Sequence, residues 1–383
     1  MKNIGIVCEY NPFHNGHAHQ IAVLKPQGAV VCLMSGNYVQ RGEPAILDKM
    51  TRAAAALSCG ADLVLEIPVT CALRSAEGFA SGAVEIFDRL GCVDALCFGS
   101  ESGDTEQLLS TARLLLTDAF RAKLRSSLAS GVSFPRAREN AVRALGGDAE
   151  PLCQPNDILG VEYCKALLRA ESGMVPMTIR RDGSYHDGTD PQCPSAAFLR
   201  RRAQWDGFVP QSALEVMTGQ TRHSLAAGER AFLARLRALS ETEFAMLPYG
   251  GEGLWRKVMA ACREKGGLDE IVEAAKSKRY TRTRIARLLL CAFLGIDEDT
   301  LNAPPPYVRA LAFNDLGASV IRRAREVGTI PLIHAGQTPP DASYGELERR
   351  AADLYGLFSD TAAPEPAGTE RALRVCYKKS GKS

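Results

Sequence analysis

Close to its start the chain reads Ile4-Gly-Ile-Val-Cys-Glu-Tyr-Asn-Pro-Phe-His-Asn-Gly-His-Ala-His-Gln20, and this run predicts the core of the fold. Ile4 to Val7 is a short apolar run with β-branched residues, which is typical of a buried strand. Asn11-Pro12 ends that strand, because proline fixes its φ angle and donates no backbone hydrogen bond. The chain then turns at His14-Asn-Gly-His17 into a helix. The sequence therefore predicts a strand–turn–helix unit with two imidazoles at the turn.

This turn has the features of an anion site. Free backbone N–H groups and the helix dipole favour negative charge at a helix N-terminus. Gly16 has no Cβ, so a phosphate can approach its backbone, and His14 and His17 can both face that phosphate in a tight turn. The alternative is that the two histidines only cap the helix and lie at the surface. Their position directly after a strand favours the phosphate site.

The run Glu9-Tyr-Asn-Pro-Phe-His-Asn-Gly-His17 resembles the signature of the HxGH nucleotidyltransferase superfamily, whose members bind ATP and attack its α-phosphate. At full length it is similar to the bacterial tRNA(Met) cytidine acetate ligase family, which makes N4-acetylcytidine at the wobble position of elongator tRNA(Met). Further matches follow in order along the chain, at 34–44, 98–101, 156–163, 180–187 and 277–284. The resemblance extends from Ile4 to about Asn314 and is loose beyond it.

Composition indicates an ordinary globular protein. The chain has 383 residues, of which 46% are hydrophobic and 23% charged, so two domains with a sizeable core are expected. A formal net charge of +2 means that any nucleic-acid surface must be local. The twelve cysteines include no CxxC pair, and no signal peptide or membrane-length apolar run is present. We therefore expect reduced, mostly buried thiols, no zinc site, no membrane association and a cytoplasmic location.

Strands alternate with helices over the first half of the chain. Strands are predicted at 29–34, 62–67, 94–98 and 174–179, with helices between them. This order predicts an α/β fold with a doubly wound parallel sheet, in which ligands bind at the carboxyl ends of the strands. From about Phe208 helical patterns dominate. We predict an ATP-binding, nucleotidyltransferase-like catalytic domain at 1–207 and a mainly helical, tRNA-binding domain at 208–383.

The resemblance implies a set of ATP-binding residues, with the two histidines of the turn as catalytic groups. The set comprises Val7, Cys8, Glu9, Tyr10, Asn11, Pro12, Phe13, His14, Asn15, Gly16, His17, Ala18, His19, Gln20, Gly99, Asn156, Arg180 and Arg181. Asn156 could instead be a plain helix cap, and the two arginines a solvated strand end. Adjacent residues of a strand face opposite ways, so at most one of the arginines is expected to point inward.

A late phosphate-binding segment is implied at Ser195-Ala-Ala-Phe-Leu-Arg200. The superfamily pattern is rich in serine and threonine here, whereas this chain has Ala196 and Ala197. Phosphate binding in this segment must therefore depend on Ser195, Arg200 and backbone N–H groups. The alternative is an ordinary helix start.

A basic segment from Lys276 to Arg287 places six cations and one tyrosine within twelve residues. Such a segment is often only a solvated helix face, but the tyrosine and the resemblance favour RNA contact. The apolar spacing at Ile285 and Leu288 predicts that the cations from Arg282 onward point partly outward. The predicted tRNA-binding residues are Lys276, Lys278, Arg279, Tyr280, Arg282, Arg284 and Arg287.

The reaction implied is a two-step acetylation, in which ATP activates acetate as acetyl-adenylate and a cytidine amine then takes the acetyl group. Mg²⁺ is expected to bridge the ATP phosphates, although no carboxylate cage for a metal is visible. Two other functions remain open at this point. One is AMP transfer to a phosphorylated small molecule, and the other is RNA binding without catalysis. The sequence identifies neither the acetate pocket nor an oligomeric state.

Overall fold

The computed structural model describes residues 1–181 and 194–379. The strands are β1 Lys2–Cys8, β2 Gly28–Ser35, β3 Tyr38–Val39, β4 Glu43–Pro44, β5 Leu63–Ile67, β6 Ala95–Ser100, β7 Val175–Arg180, β8 Val308–Asn314, β9 Leu332–His334 and β10 Cys376–Lys378. The helices of the first half are α1 Asn15–Leu24, α2 Lys49–Ser58, α3 Val69–Ala72, α4 Ala76–Leu90, α5 Thr105–Leu115, α6 Asp118–Ala129, α7 Phe134–Ala144, α8 Pro155–Arg169 and α9 Ala196–Arg200. The remaining helices are α10 Gln211–Met217, α11 Leu225–Ala238, α12 Glu241–Ala245, α13 Leu254–Glu264, α14 Leu268–Ala275, α15 Arg282–Leu294, α16 Glu298–Asn302, α17 Asp315–Val327, α18 Ala342–Tyr355 and α19 Thr369–Ala372.

One mostly parallel sheet organises these elements. Its strand order is β10-β8-β5-β2-β1-β6-β7, with β9 paired to β8, and only the β5–β8 pair is antiparallel among the described strands of this sheet. The predicted α/β fold with a parallel sheet is therefore confirmed. The chain moves from β1 outward to β2 and β5, and then back past β1 to β6 and β7. This reversal leaves a crevice at the carboxyl end of β1, where ligands of such sheets bind.

Helices cover both faces of the sheet. Helices α4, α5 and α8 pack on one face around Leu33 and Phe98, while α1, α2 and α10 pack on the other around Ile4 and Ile6. The helical patterns expected beyond Phe208 are confirmed, for example, by α11, α13, α14 and α15. They form a separate apolar cluster that also includes Tyr38, from β3.

The second half of the chain also returns to the sheet. β8, β9 and β10 all come from this half, and the sequence patterns did not predict them. The helical region is thus inserted between strands of one sheet, and the division between 207 and 208 stays a prediction.

No helix within the described residues is both long and apolar enough to cross a membrane. The described cysteines are free, and most of them are buried, as expected.

Candidate active site

His14 and His17 lie together at the predicted turn, directly after β1. His14 is the N-cap of α1, and its ring stacks on that of His17 with centroids 3.6 Å apart and planes 24° apart. His14 is 2% exposed, whereas His17 is only partly buried. A Cβ on Gly16 would lie 3.2 Å from Cε1 of His14, so glycine leaves room for that ring. The predicted placement of both imidazoles at the turn is confirmed.

Both rings use one nitrogen to cap the helix. Nδ1 of His14 accepts from the Gly16 backbone N–H at 3.2 Å, and Nδ1 of His17 accepts from the His14 N–H at 3.3 Å. A neutral imidazole that accepts at Nδ1 carries its proton on Nε2. The Nε2–H groups donate to no partner among the described residues. Capping and ligand binding are therefore compatible, because each uses a different nitrogen of the same ring.

Burial keeps the pair neutral. Desolvation, with a smaller contribution from the Arg181 guanidinium, lowers the pKa of His14 from its ordinary 6.5 to about 3. Burial also lowers the pKa of His17 well below its ordinary value, and His14 and Arg181 add to this shift. At neutral pH the turn thus offers two uncharged N–H donors rather than two imidazolium ions.

Acid is expected to destabilise the protein through this pair. Below the ordinary value of 6.5 the unfolded chain binds a proton at His14, whereas the folded chain does not until the pH approaches about 3. Stability attributable to His14 should therefore fall by about 1.4 kcal/mol per pH unit within that window. Chemical denaturation at about pH 7 and about pH 5 measures this loss. His14→Asn keeps a good N-cap and should show a shallower decline, and an equal decline would contradict the assignment.

Two buried aromatic side chains pack beside the histidine pair. Tyr10 and Phe13 are 1% and 0% exposed, and the Tyr10 ring lies 4.8 Å from that of His17. His19, near the end of the same motif, is in contrast exposed on α1. Within the predicted ATP segment, Tyr10 and Phe13 thus position the turn, while His19 lies apart from the stacked pair.

Arg52, on α2, holds the loops after β1 and β2 together. This side chain is 0% exposed, and its guanidinium donates to the carbonyl oxygens of Glu9 at 2.6 Å and Ser35 at 3.0 Å. It also donates to the carbonyls of Gly36 and Leu47. The planar, multi-donor guanidinium is suited to such a junction. Arg52 was missed in the sequence because its neighbours in α2 are mostly alanines, which define no polar face.

The loop after β6 and the start of α8 cap each other. Glu101 accepts from the Asn156 backbone at 3.2 Å, from the Asn156 side chain at 2.6 Å and from the Asp157 backbone at 2.8 Å. Asp157 is 2% exposed and accepts in return from the backbone N–H groups of Glu101 and Ser102, at 3.1 and 3.2 Å. Asn156 lies one residue inside the helix rather than at its cap, which is Gln154. We call this arrangement of Glu101, Asn156 and Asp157 the carboxylate clasp.

The carboxylate clasp also orients an arginine. Nη1 of Arg181 donates to Oδ1 of Asn156 at 3.4 Å, and its side chain lies over Gly99, where a Cβ would come within 3.2 Å. Arg180 is exposed and packs beside Gly103. As predicted, one arginine of the pair points inward, and it is Arg181. The rest of that motif, from Asp182 to Asp187, lies outside the described residues.

The late segment reaches the same turn. Ser195 caps α9 by accepting from the Phe198 N–H at 3.1 Å, and Arg200 donates to the Asn11 carbonyl at 2.9 Å. Ser195 therefore lies at a helix start, as the alternative interpretation of this segment predicted. Phosphate contact by Ser195 and Arg200 stays a prediction.

Glu101→Gln is expected to weaken ATP binding with little effect on the fold. The amide keeps the size of the side chain but removes the negative charge that strengthens its hydrogen bonds from the start of α8. Asn156 and Arg181 therefore become less well oriented. We expect the KM for ATP to rise about tenfold. Steady-state kinetics measure this change. Asp104→Asn is the matched control, since Asp104 is an exposed N-cap of α5 in the same loop; a similar rise in that variant would contradict a specific role for Glu101.

Comparison with known proteins identifies the family. The family model described as HIGH Nucleotidyl Transferase matches residues 1–370. A tRNA(Met) cytidine acetate ligase of Acetivibrio thermocellus is 34% identical over 97% of this chain and 98% of its own length. The chain belongs to the tRNA(Met) cytidine acetate ligase family. A ligase of the same name from Clostridium acetobutylicum is 36% identical over 95% of this chain and 97% of its own length.

Solved structures agree with this membership. The chain superposes on Thermotoga maritima TmcAL bound with alpha-thio ATP with a TM-score of 0.88, at 29% identity, over 99% of this chain and 100% of the other. The apo form of the same protein gives a TM-score of 0.90 at 30% identity, with the same coverage. The fold described above is thus shared with a structure that contains an ATP analogue.

In this ligase-family chain the basic segment is only partly available to a ligand. Lys278 and Arg279 are exposed, and their side chains pair with no group among the described residues. Arg282 is held by Asp269 and Glu273. Other members of the segment make contacts within the protein. Lys276 pairs with the Glu273 carboxylate, the Tyr280 hydroxyl donates to the Glu252 backbone carbonyl, and Arg284 donates to the Tyr249 backbone carbonyl.

Arg287 does not point outward. The prediction that this side chain points partly outward is wrong, because Arg287 is 8% exposed and its guanidinium lies 5.0 Å from the centre of the Tyr249 ring. It also donates to the Gln40 carbonyl at 3.4 Å. Gln40 in turn donates its backbone N–H to the Glu9 carboxylate at 2.8 Å. The buried end of the basic segment therefore contacts the loop that adjoins the candidate ATP site.

Proposed function

We propose that this protein is an ATP-dependent ligase that joins acetate to the N4 amine of the wobble cytidine of elongator tRNA(Met). The single observation that carries the proposal is the stacked, neutral His14–His17 pair at the carboxyl end of β1. Neither Nε2–H group has a partner among the described residues, and the crevice lies where ligands bind in folds of this type. Membership in the ligase family supports acetate and tRNA(Met) as the other substrates.

In the first step, an acetate oxygen attacks the α-phosphorus of ATP. The new bond gives acetyl-adenylate, the bond to the β-phosphate oxygen breaks, and pyrophosphate leaves with its electron pair. No proton transfer is needed, because acetate is already ionised at neutral pH. The Nε2–H groups of His14 and His17 stabilise the charge that develops on the phosphate oxygens, and Arg181 adds a cation.

In the second step, the cytidine amine attacks the acetyl carbon of the mixed anhydride. AMP leaves as the amide bond forms, and the amine loses a proton to solvent. An unpaired anticodon base can be turned out into a pocket for such a reaction.

Mg²⁺ would enter with the substrate and would supply positive charge to the leaving pyrophosphate. The described residues contain no cluster of three or more histidine, cysteine or acidic side chains that could hold a metal ion by themselves. A cytoplasmic location stays a prediction.

Mass spectrometry of unmodified elongator tRNA(Met), after incubation with the protein, ATP, Mg²⁺ and acetate, tests the function. A gain of one acetyl group on the wobble cytidine is the expected result. Stable transfer of AMP to a small phosphorylated acceptor would overturn it in favour of a nucleotidyltransferase. tRNA binding with no ATP turnover would instead indicate a binding module.

Lys278 and Arg279, the exposed part of the basic segment, should contribute to tRNA binding but not to the activation of acetate by ATP. Lys278→Ala with Arg279→Ala removes two cations that could contact phosphates. The slope of log K for tRNA binding against log salt concentration should therefore become smaller in magnitude by about two. The KM for tRNA should rise while acetate-dependent ATP–pyrophosphate exchange without tRNA stays unchanged. Arg322→Ala with Arg323→Ala, an exposed pair on α17, is the control. Equal effects of the two double variants would contradict a tRNA contact at Lys278 and Arg279.

A further inference from the structure

Glu9 has a carboxylate with one oxygen engaged and one oxygen open. It is the first residue after β1, and its side chain is partly exposed. Oε1 accepts from the Gln40 backbone N–H at 2.8 Å. Among the described residues, Oε2 accepts from no donor and no cation forms an ion pair with Glu9. Acidic side chains that are largely withdrawn from water are normally paired, so the open oxygen is available to a ligand.

The backbone around Glu9 is fixed at the carboxyl end of β1. The fully buried Arg52 donates to the Glu9 carbonyl at 2.6 Å. Two residues further on, the Asn11 carbonyl accepts from Arg200 at 2.9 Å. Glu9 therefore lies at the ligand-binding edge of the sheet, on the segment that leads directly into the histidine turn.

The loop that holds the Glu9 carboxylate also lies against the basic segment. A Cβ on Gly42, which has a φ of +82°, would come within 2.7 Å of the Arg287 backbone nitrogen. The side chain of Arg287 donates to the Gln40 carbonyl at 3.4 Å. Gln40 thus contacts α15 through its carbonyl and Glu9 through its N–H. The Glu9 carboxylate consequently lies at the junction between the ATP turn and the end of the basic segment.

We propose that Glu9 is the base of the acetyl-transfer step and accepts a hydrogen bond from the N4 amine of the incoming cytidine. This role rests on the proposed function, since it concerns the second of the two steps. A tRNA bound at the basic segment has to bring its cytidine to an acetyl group at the ATP turn, and Glu9 lies where these two parts meet. Carboxylates are suitable acceptors for the N4 amine of cytosine.

The step balances with Glu9 as the proton acceptor. The N4 nitrogen attacks the acetyl carbon and forms the amide bond. The bond from that carbon to the phosphate oxygen breaks, and AMP leaves with the electron pair. Oε2 of Glu9 takes the proton that N4 loses and then passes it to solvent.

The surroundings of Glu9 favour this role. Burial raises the pKa of its carboxyl above the ordinary 4.5, although the Gln40 N–H and nearby cations oppose the shift. The cations come from α9, the loop after β3 and α2, and are Arg200, Arg41 and Arg52. On α8, Tyr163 stays a neutral phenol, because burial, Cys8 and Glu9 all raise its pKa. A glutamate with a raised pKa is a stronger base than an exposed one.

Glu9→Gln tests the proposal when the two steps are measured separately. Acetate-dependent ATP–pyrophosphate exchange without tRNA reports the first step, and transfer from synthetic acetyl-adenylate to excess elongator tRNA(Met) reports the second. The ratio of the transfer rate to the exchange rate should fall by about 10²-fold, because glutamine cannot accept the proton. Wild-type transfer should also slow as the pH is lowered through the raised pKa of Glu9, whereas transfer by Glu9→Gln should lack this dependence.

The matched control is Glu43→Gln. Glu43 is a partly exposed residue of β4, in the same hairpin as Gln40, and its carboxylate pairs with no group among the described residues. This variant removes the same charge and should keep the wild-type ratio and pH profile. An equal fall in the ratio for Glu43→Gln would overturn the assignment of the base to Glu9.

The outcomes separate this role from the function on which it rests. A wild-type protein that transfers no acetyl group to the tRNA would overturn both. Normal wild-type transfer with an unchanged ratio in Glu9→Gln would overturn the role of Glu9 alone, as would equal losses in the two steps, which would mean that Glu9 only positions the ATP turn. If Glu9→Gln fails to fold, Glu9→Asp carries the test. Its shorter carboxylate should lower the ratio but retain the pH dependence, and an unchanged ratio would overturn the proposal.

Discussion

Replacing His17 with alanine is expected to lower the rate of acetate-dependent ATP–pyrophosphate exchange by about 10²- to 10³-fold. The expected loss is that of one preorganised N–H donor to the phosphate oxygens, in a site where burial excludes competing water. His17 suits this test because it is partly exposed and its capping contact is long, at 3.3 Å. The melting temperature should therefore change little. Pyrophosphate exchange at saturating acetate and ATP measures the effect.

The control for this experiment lies on the same helix. His19 is exposed and two residues away, so His19→Ala removes an imidazole of the same motif without removing a member of the stacked pair. It should leave the exchange rate near that of the wild type. His14→Asn is a second probe, because asparagine keeps the N-cap but lacks the Nε2–H donor. Full activity of His17→Ala would show that the pair only caps the helix.

The part of the site that sequence predicts well is the part that is local in the chain. β1, the turn and α1 are consecutive, so strand pattern, proline and glycine together indicate where His14 and His17 lie. The inward direction of Arg181, in contrast, depends on Asn156, which is in turn held by Glu101. These residues are far apart in sequence, and no local pattern reports their contacts. The burial of Arg287 likewise depends on Tyr249, from the turn between α12 and α13.

β8 was missed for a related physical reason. Its sequence is Val308-Arg-Ala-Leu-Ala-Phe-Asn314, and a charged residue at its second position obscures the apolar run. Arg309 is nevertheless 3% exposed, because carboxylates from three other elements surround it. A buried cation of this kind is compatible with a strand only when its partners are in place, and those partners cannot be seen in the local sequence.

Arg309→Met is expected to have the largest effect on stability, lowering the free energy of unfolding by about 3–5 kcal/mol. Arg309 donates to Glu66 and Glu348 at 2.8 and 2.7 Å and lies 2.8 Å from Glu370. Lys49 also pairs with Glu66 and Glu370. Without the arginine, three carboxylates that are at most 9% exposed would share that single lysine. Urea denaturation measures the loss, and Arg323→Met, which removes an exposed ion pair on α17, is the control.

The response to pH and to a second substitution distinguishes lost charge pairing from lost packing. Removing Arg309 takes away an attraction that lowers the pKa of the Glu66 and Glu348 carboxyls. Their pKa values in the folded variant should therefore rise, so stability is lost as the pH rises through them and partly recovered on acidification. Glu348→Gln in the same chain removes one of the uncompensated charges and should restore part of the loss. A deficit that is independent of pH and unchanged by Glu348→Gln would mean that Arg309 acts through packing rather than through its charge.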